Sequence, residues 1–106
     1  MDIQAIRNEA EVAANLAQAD FLKKHGDGAY CGLAWVEVFV DRTNSAEAKL
    51  LKSIGFKESW KRKCLNLWKP GAYNGQCMST LEVGAEAYAE VLKKHGFRAY
   101  MGSRAD

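Results

Sequence analysis

Two segments of the chain repeat each other. FLKKHGDGAYCG at 21–32 returns as VLKKHGFRAYMG at 91–102, with Leu22/Leu92, Lys23/Lys93, Lys24/Lys94, His25/His95, Gly26/Gly96, Ala29/Ala99, Tyr30/Tyr100 and Gly32/Gly102 identical. Each copy has the form of a basic last helical turn, a glycine stop and an extended run. A weaker copy, LLKSIGF at 50–56, lies between them. The repeat therefore predicts three helices that each lead into a strand, and it requires Gly26 and Gly96 to sit at positive φ beyond a helix end. It describes architecture and carries no chemistry of its own.

The 106 residues suffice for one domain with a hydrophobic core, taken as 1–106. No apolar run is long enough to span a bilayer, and the first residues lack a signal-peptide core. Cys31, Cys64 and Cys77 are odd in number and form no CxxC pair. That pattern points to reduced thiols in a cytoplasm.

The first element is a helix over 3–25, rich in alanine, with Ile3, Ile6, Ala10, Ala13 and Ala17 at helical spacing and Val12, Leu16 and Phe21 beside them. Residues 29–40 alternate as a strand. Tyr30, Gly32, Ala34, Val36, Val38 and Val40 occupy one face, and Cys31, Leu33, Trp35, Glu37 and Phe39 the other. Two largely apolar faces mark a central strand covered on both sides. Asn44 with Glu47 reads as a capping box opening a short helix that Gly55 stops. Residues 56–60 and 64–68 read as two strands joined by Lys61, Arg62 and Lys63, with one continuous strand as the alternative. A turn-rich loop covers 69–78. A second capping box, Ser79 with Glu82, opens a helix to His95, and 97–101 form a last strand.

The expected class is α+β: a ferredoxin-like βαββαβ core over 29–101, with an antiparallel or mixed sheet, helices on one face, and the long N-terminal helix added. The usually open sheet face would be covered by that helix or by a second copy of the chain, which makes a homodimer or higher oligomer the expected assembly.

Chemistry-bearing residues are sparse. His25 and His95 complete basic helix ends, and no converging Cys or His spacing indicates a metal. Cys31 and Cys64 fall in strands, where a buried thiol is expected. Cys77, ahead of a helix N-terminus, is the best nucleophile but has no base beside it. Capping accounts for Ser79, and no GxSxG, Walker or GxGxxG motif occurs. The reading is non-enzymatic, with no catalytic residue, metal or cofactor.

The segment with most binding character is WKRKCLNLWKPGAYNG at 60–75. Residues 56–69 hold five cations against Glu58 alone, a local +4 in a chain of net charge +2. Trp60, Trp68 and Tyr73 interleave with Arg62, Lys63 and Lys69, and these six residues form the candidate ligand site. Flat rings stack on bases while cations meet phosphate. The plain alternative is that the tryptophans face the core and the cations guard an edge strand. An RRM-type module shares the element order, but KCLNLW stands where its aromatic motif would lie.

CGLAWVEV at 31–38, LNLWKPGA at 65–72 and GAEAYAEVLKKHGFRAYMGSRAD at 84–106 together resemble small uncharacterised accessory proteins of tailed bacteriophages. The resemblance implies a counter-defence or other host-directed protein in a bacterial cytoplasm, and it supplies no catalytic residues. The expected function is therefore a phage accessory binding protein that sequesters an anionic nucleotide signal or blocks a host protein. A nucleic-acid-binding accessory protein is the alternative, and a Cys77-dependent enzyme ranks third.

Overall fold

In the computed structural model, residues 2–26, 31–68, 70–71, 73, 75 and 77–105 are described. Helix α1 spans Ile3–His25, β1 Gly32–Phe39, α2 Ala46–Ser53, β2 Lys57–Glu58, β3 Cys64–Trp68, α3 Met78–Lys94 and β4 Arg98–Ala105. The α+β class holds: the strands form one antiparallel sheet in the order β2-β3-β1-β4, with β1 paired to both β3 and β4.

The glycine repeat acts as expected. Gly26 (φ 68°), Gly55 (φ 107°) and Gly96 (φ 94°) each follow a helix in the left-handed region. The closures differ in detail. After α2 and α3 the chain turns identically: Phe56 N donates to Leu51 O at 3.1 Å, and Phe97 N to Leu92 O at 3.0 Å. In both, the aromatic residue after the glycine drops into the core. After α1, Gly26 N donates to Leu22 O at 2.8 Å. The weak middle copy thus matches the last copy more closely than the first does.

Small residues on one face of β1 let the helices approach. Ala34, Val36 and Val38 are fully buried in a core with Leu51 of α2, Leu81, Ala85 and Leu92 of α3, and Ile3, Ile6, Ala10 and Ala14 of α1. A Cβ on Gly32 would run into the Met78 side chain. Helix α1 lies along α3 on this same face, so it does not cover the opposite face of the sheet. Glu9 clamps the far end of the helix pair by accepting hydrogen bonds from Lys94 and pairing with His95 Nε2 at 2.9 Å. The Lys94 bond first, then His95, hold the Glu9 carboxyl below its usual value.

Several local expectations need correction. The buried row of α1 is Ile3, Ile6, Ala10, Ala14 and Gln18, whereas Val12 and Leu16 are exposed. Ser45, not Asn44, caps α2, its hydroxyl accepting from Ala48 N at 3.2 Å. Helix α3 starts at Met78 with Cys77 as its N-cap and no side-chain cap bond, which leaves Ser79 inside the first turn. Residues 57–68 are two strands, not one, because Lys63 adopts a left-handed φ of 55° between them. Cys31 is exposed, and its predicted neighbours Ala29 and Tyr30 lie outside the described residues.

Candidate binding face

The register of β1 places three rows on the sheet face away from the helices. Trp68 and Gly102 flank Trp35; Asn66 and Tyr100 flank Glu37, with Lys57 beyond Asn66; Cys64 and Arg98 flank Phe39. Leu33 opposite Arg104 extends the face at one end. No helix among the described residues packs on it.

Aromatic pairs build its relief. Trp35 and Trp68 lie with ring centres 4.6 Å apart at 36°, and Phe39 meets Tyr100 edge-on at 5.9 Å. Gly102 makes the first pair feasible, since any Cβ there would strike the Trp35 indole. Trp68 and Tyr100 remain about half exposed, at 47% and 48%.

Glu37 is the polar centre, only 6% exposed. Its Oε1 accepts from Trp35 Nε1 at 2.9 Å and from Lys61 Nζ at 2.8 Å. The bond to Glu37 raises the Lys61 pKa. Burial first, and then the Glu37 charge, push the Cys64 thiol up, so this cysteine stays protonated and buried. It is not poised as a nucleophile.

Connection 59–63 forms the rim. Ser59 N donates to Cys64 O and Val40 N to Lys63 O, both at 2.9 Å, fixing the ends of the turn. Lys61 leans back over the face and holds its Nζ 5.5 Å from the Trp60 ring centre. Trp60 itself is 83% exposed, and Arg62 and Lys63 are exposed beside it.

Of the six candidate residues, Trp60, Arg62 and Lys63 therefore stand in the connection ahead of β3 and Trp68 at the strand's far end, β3 itself being about 14 Å long at 3.4 Å per residue. Tyr73 lies elsewhere: its backbone N donates to Gln18 of α1, and its hydroxyl accepts from Cys77 N. Lys69 is outside the described residues. The face adds Trp35, Glu37, Phe39, Arg98, Tyr100 and Arg104, which the basic-aromatic segment did not contain, and takes in Lys57 from the cationic window 56–69. Their signal was the second apolar face of β1 together with the repeat's tyrosine.

A cavity of about 290 Å³ opens on the helix side between α1, the end of α2 and β3, bordered by Glu11, Asn15, Leu67 and Tyr88. It shares only Trp68 with the aromatic face. His25 packs on Phe21 and His95 on Glu9, and no group of His, Cys, Asp or Glu that could hold a metal occurs among the described residues. No helix among the described residues is long and apolar enough to cross a membrane.

Compared with protein-family models, curated proteins and solved structures, the chain matches none.

Proposed function

We propose that this chain is a non-enzymatic binding protein with a ferredoxin-like core that holds a single-stranded nucleic acid across its open sheet face. The strand order β2-β3-β1-β4 with antiparallel neighbours, and the β-α-β-β-α-β succession after α1, support the fold reading. The observation that carries the function is the uncovered face itself: one aromatic pair across the two central strands and a second between β1 and the edge strand β4, bordered by Lys57, Lys61, Arg104 and the Asp41-paired Arg98.

Bases stack on exposed rings for about 1–3 kcal/mol each, whatever their identity, and four-stranded sheets with central aromatics are a recurrent platform for single strands. Cations at both ends suit phosphates passing over the sheet. An open strip favours an extended strand over a free nucleotide, which would call for an enclosed pocket. In line with the resemblance to phage accessory proteins, the activity would serve an infected bacterial cytoplasm.

A second reading, contact with a host protein, is favoured by Trp60. A tryptophan 83% exposed on a fixed turn is the type of residue that anchors protein interfaces.

Titrating the protein with single-stranded 12-mers by tryptophan fluorescence separates the two. Strand binding predicts quenching, an affinity that falls steeply between about 50 and about 200 mM salt, and at least about fivefold weakening in both Tyr100→Ala and Arg104→Ala. Absence of binding at low salt would refute the strand reading and leave the protein-contact reading standing.

A further inference from the structure

On the reading that a single strand lies on this face, we infer that Glu37 makes the face selective for bases carrying an exocyclic amino group. Glu37 sits at the centre of the sheet, with Trp35 and Phe39 each about 7 Å away along β1. A base stacked on either aromatic neighbour can turn its edge toward the Glu37 row.

The two donors inside the protein, Trp35 Nε1 and Lys61 Nζ, both converge on Oε1. Oε2 takes no hydrogen bond among the described residues. It is also not one of the fully buried unpaired atoms, so it is not sealed off, although Glu37 as a whole is only 6% exposed. Two fixed donors on one oxygen orient the carboxylate and leave the other oxygen as an acceptor. A carboxylate accepts and cannot donate.

Asn66, directly across the strand pair from Glu37 and also buried, has its Oδ1 facing the Cys64 thiol at 3.7 Å. Its NH2 group is thereby left as a donor next to the Glu37 acceptor. Acceptor beside donor complements an amino group next to a ring nitrogen, as on cytosine and adenine. Uracil and thymine present an N3–H between two carbonyl oxygens at that edge, and a carboxylate repels those oxygens.

The test uses deoxycytidine and deoxyuridine 12-mers, whose bases differ only by the amino group and the accompanying N3 proton. Wild-type protein is expected to bind the cytidine strand about tenfold or more tightly, the scale of one charge-assisted hydrogen bond. In Glu37→Gln, which keeps the shape and adds a donor, the ratio should fall to about one.

Equal wild-type affinities would overturn the inference yet leave strand binding in place, provided that both strands bind with salt dependence. A folded Glu37→Gln variant that keeps the full preference would also overturn it. If neither strand binds, the strand-binding reading fails and takes this inference with it. The wild-type comparison decides on its own should the variant not fold.

Discussion

At the scale of single residues, the buried groups without partners make the sharpest statements. Tyr88 is 1% exposed, and its hydroxyl has no hydrogen-bond partner among the described residues. Burial first, then the nearby Glu11 charge, push its pKa up to about 12. A free tyrosine ionises near 10, so between pH 10 and about 12 the unfolded chain sheds a proton that the folded chain keeps. Stability is therefore fully present below pH 10 and falls as pH rises, by about 2–3 kcal/mol across that window. Tyr88→Phe should remove this component, while at neutral pH it should cost under about 1 kcal/mol, because no hydrogen bond is lost. Urea unfolding at pH 7 and pH 11 checks both statements, and a variant as alkali-sensitive as wild type would contradict them. Gly96 gives the opposite kind of residue. A Cβ there meets nothing within 4 Å, yet φ is 94°. Gly96→Ala should cost about 1 kcal/mol or more through backbone strain alone, with no change in the core. A melting temperature unchanged from wild type would show that the turn relaxes.

At the scale of elements, the contact between α1 and α3 turns on a glycine and a buried glutamine. Gln18 donates from Nε2 to Pro70 O and accepts at Oε1 from Tyr73 N, both at 3.3 Å, tying α1 to the loop ahead of α3. Its side chain fills the space over Gly84, where a Cβ would collide with it. In an open helix Gly→Ala gains about 1 kcal/mol. Here Gly84→Ala should instead destabilise, by about 1–3 kcal/mol, through overpacking. Gln18→Ala should cost about 1–3 kcal/mol by removing both of its hydrogen bonds. The double variant should lose at least about 1 kcal/mol less than the two costs together, since truncating the glutamine vacates the room that the added methyl on α3 needs. Denaturant titration of the four proteins measures this, and simple additivity would mean the two residues do not share that space. These contacts also show where legibility stopped. The span of α1, the positive φ at both glycines and the alternation of β1 were readable because they follow from local chemistry. The buried face of α1 was not, because an alanine-rich helix offers little hydrophobic contrast around its circumference. Nor was the place of Tyr73, since its partner Gln18 is 55 residues away. Glu47 three residues on favoured Asn44 as the cap, but the adjacent Ser45 takes that place with its own hydroxyl. Glu37 read as one polar interruption in an apolar face. Its role as a charge centre depends on Lys61, 24 residues on, reaching back from a turn.

At the scale of the whole molecule, one face remains to be accounted for. The helices bury the side of the sheet bearing Ala34, Val36 and Val38, and leave Trp35, Phe39, Trp68 and Tyr100 to whatever lies opposite. Contiguous aromatic surface of this kind favours association, and a second copy of the chain is always at hand at high concentration. Two copies cannot meet through this face and also hold a strand on it, so assembly and binding should compete. The free protein is expected to self-associate at concentrations of about 100 μM, within the weak range for small interfaces. Saturating single-stranded 12-mer should then convert it to one chain per strand. Tyr100→Glu, which puts a second carboxylate beside Glu37, should weaken self-association and strand binding together through like-charge repulsion. Sedimentation velocity with and without oligonucleotide reads both effects at once. A dimer that persists unchanged while carrying bound strand would move the contact to another surface, of which the exposed Val12 and Leu16 on α1 are the nearest alternative. A protein that stays monomeric throughout yet binds the strand would reserve the aromatic face for the nucleic acid alone.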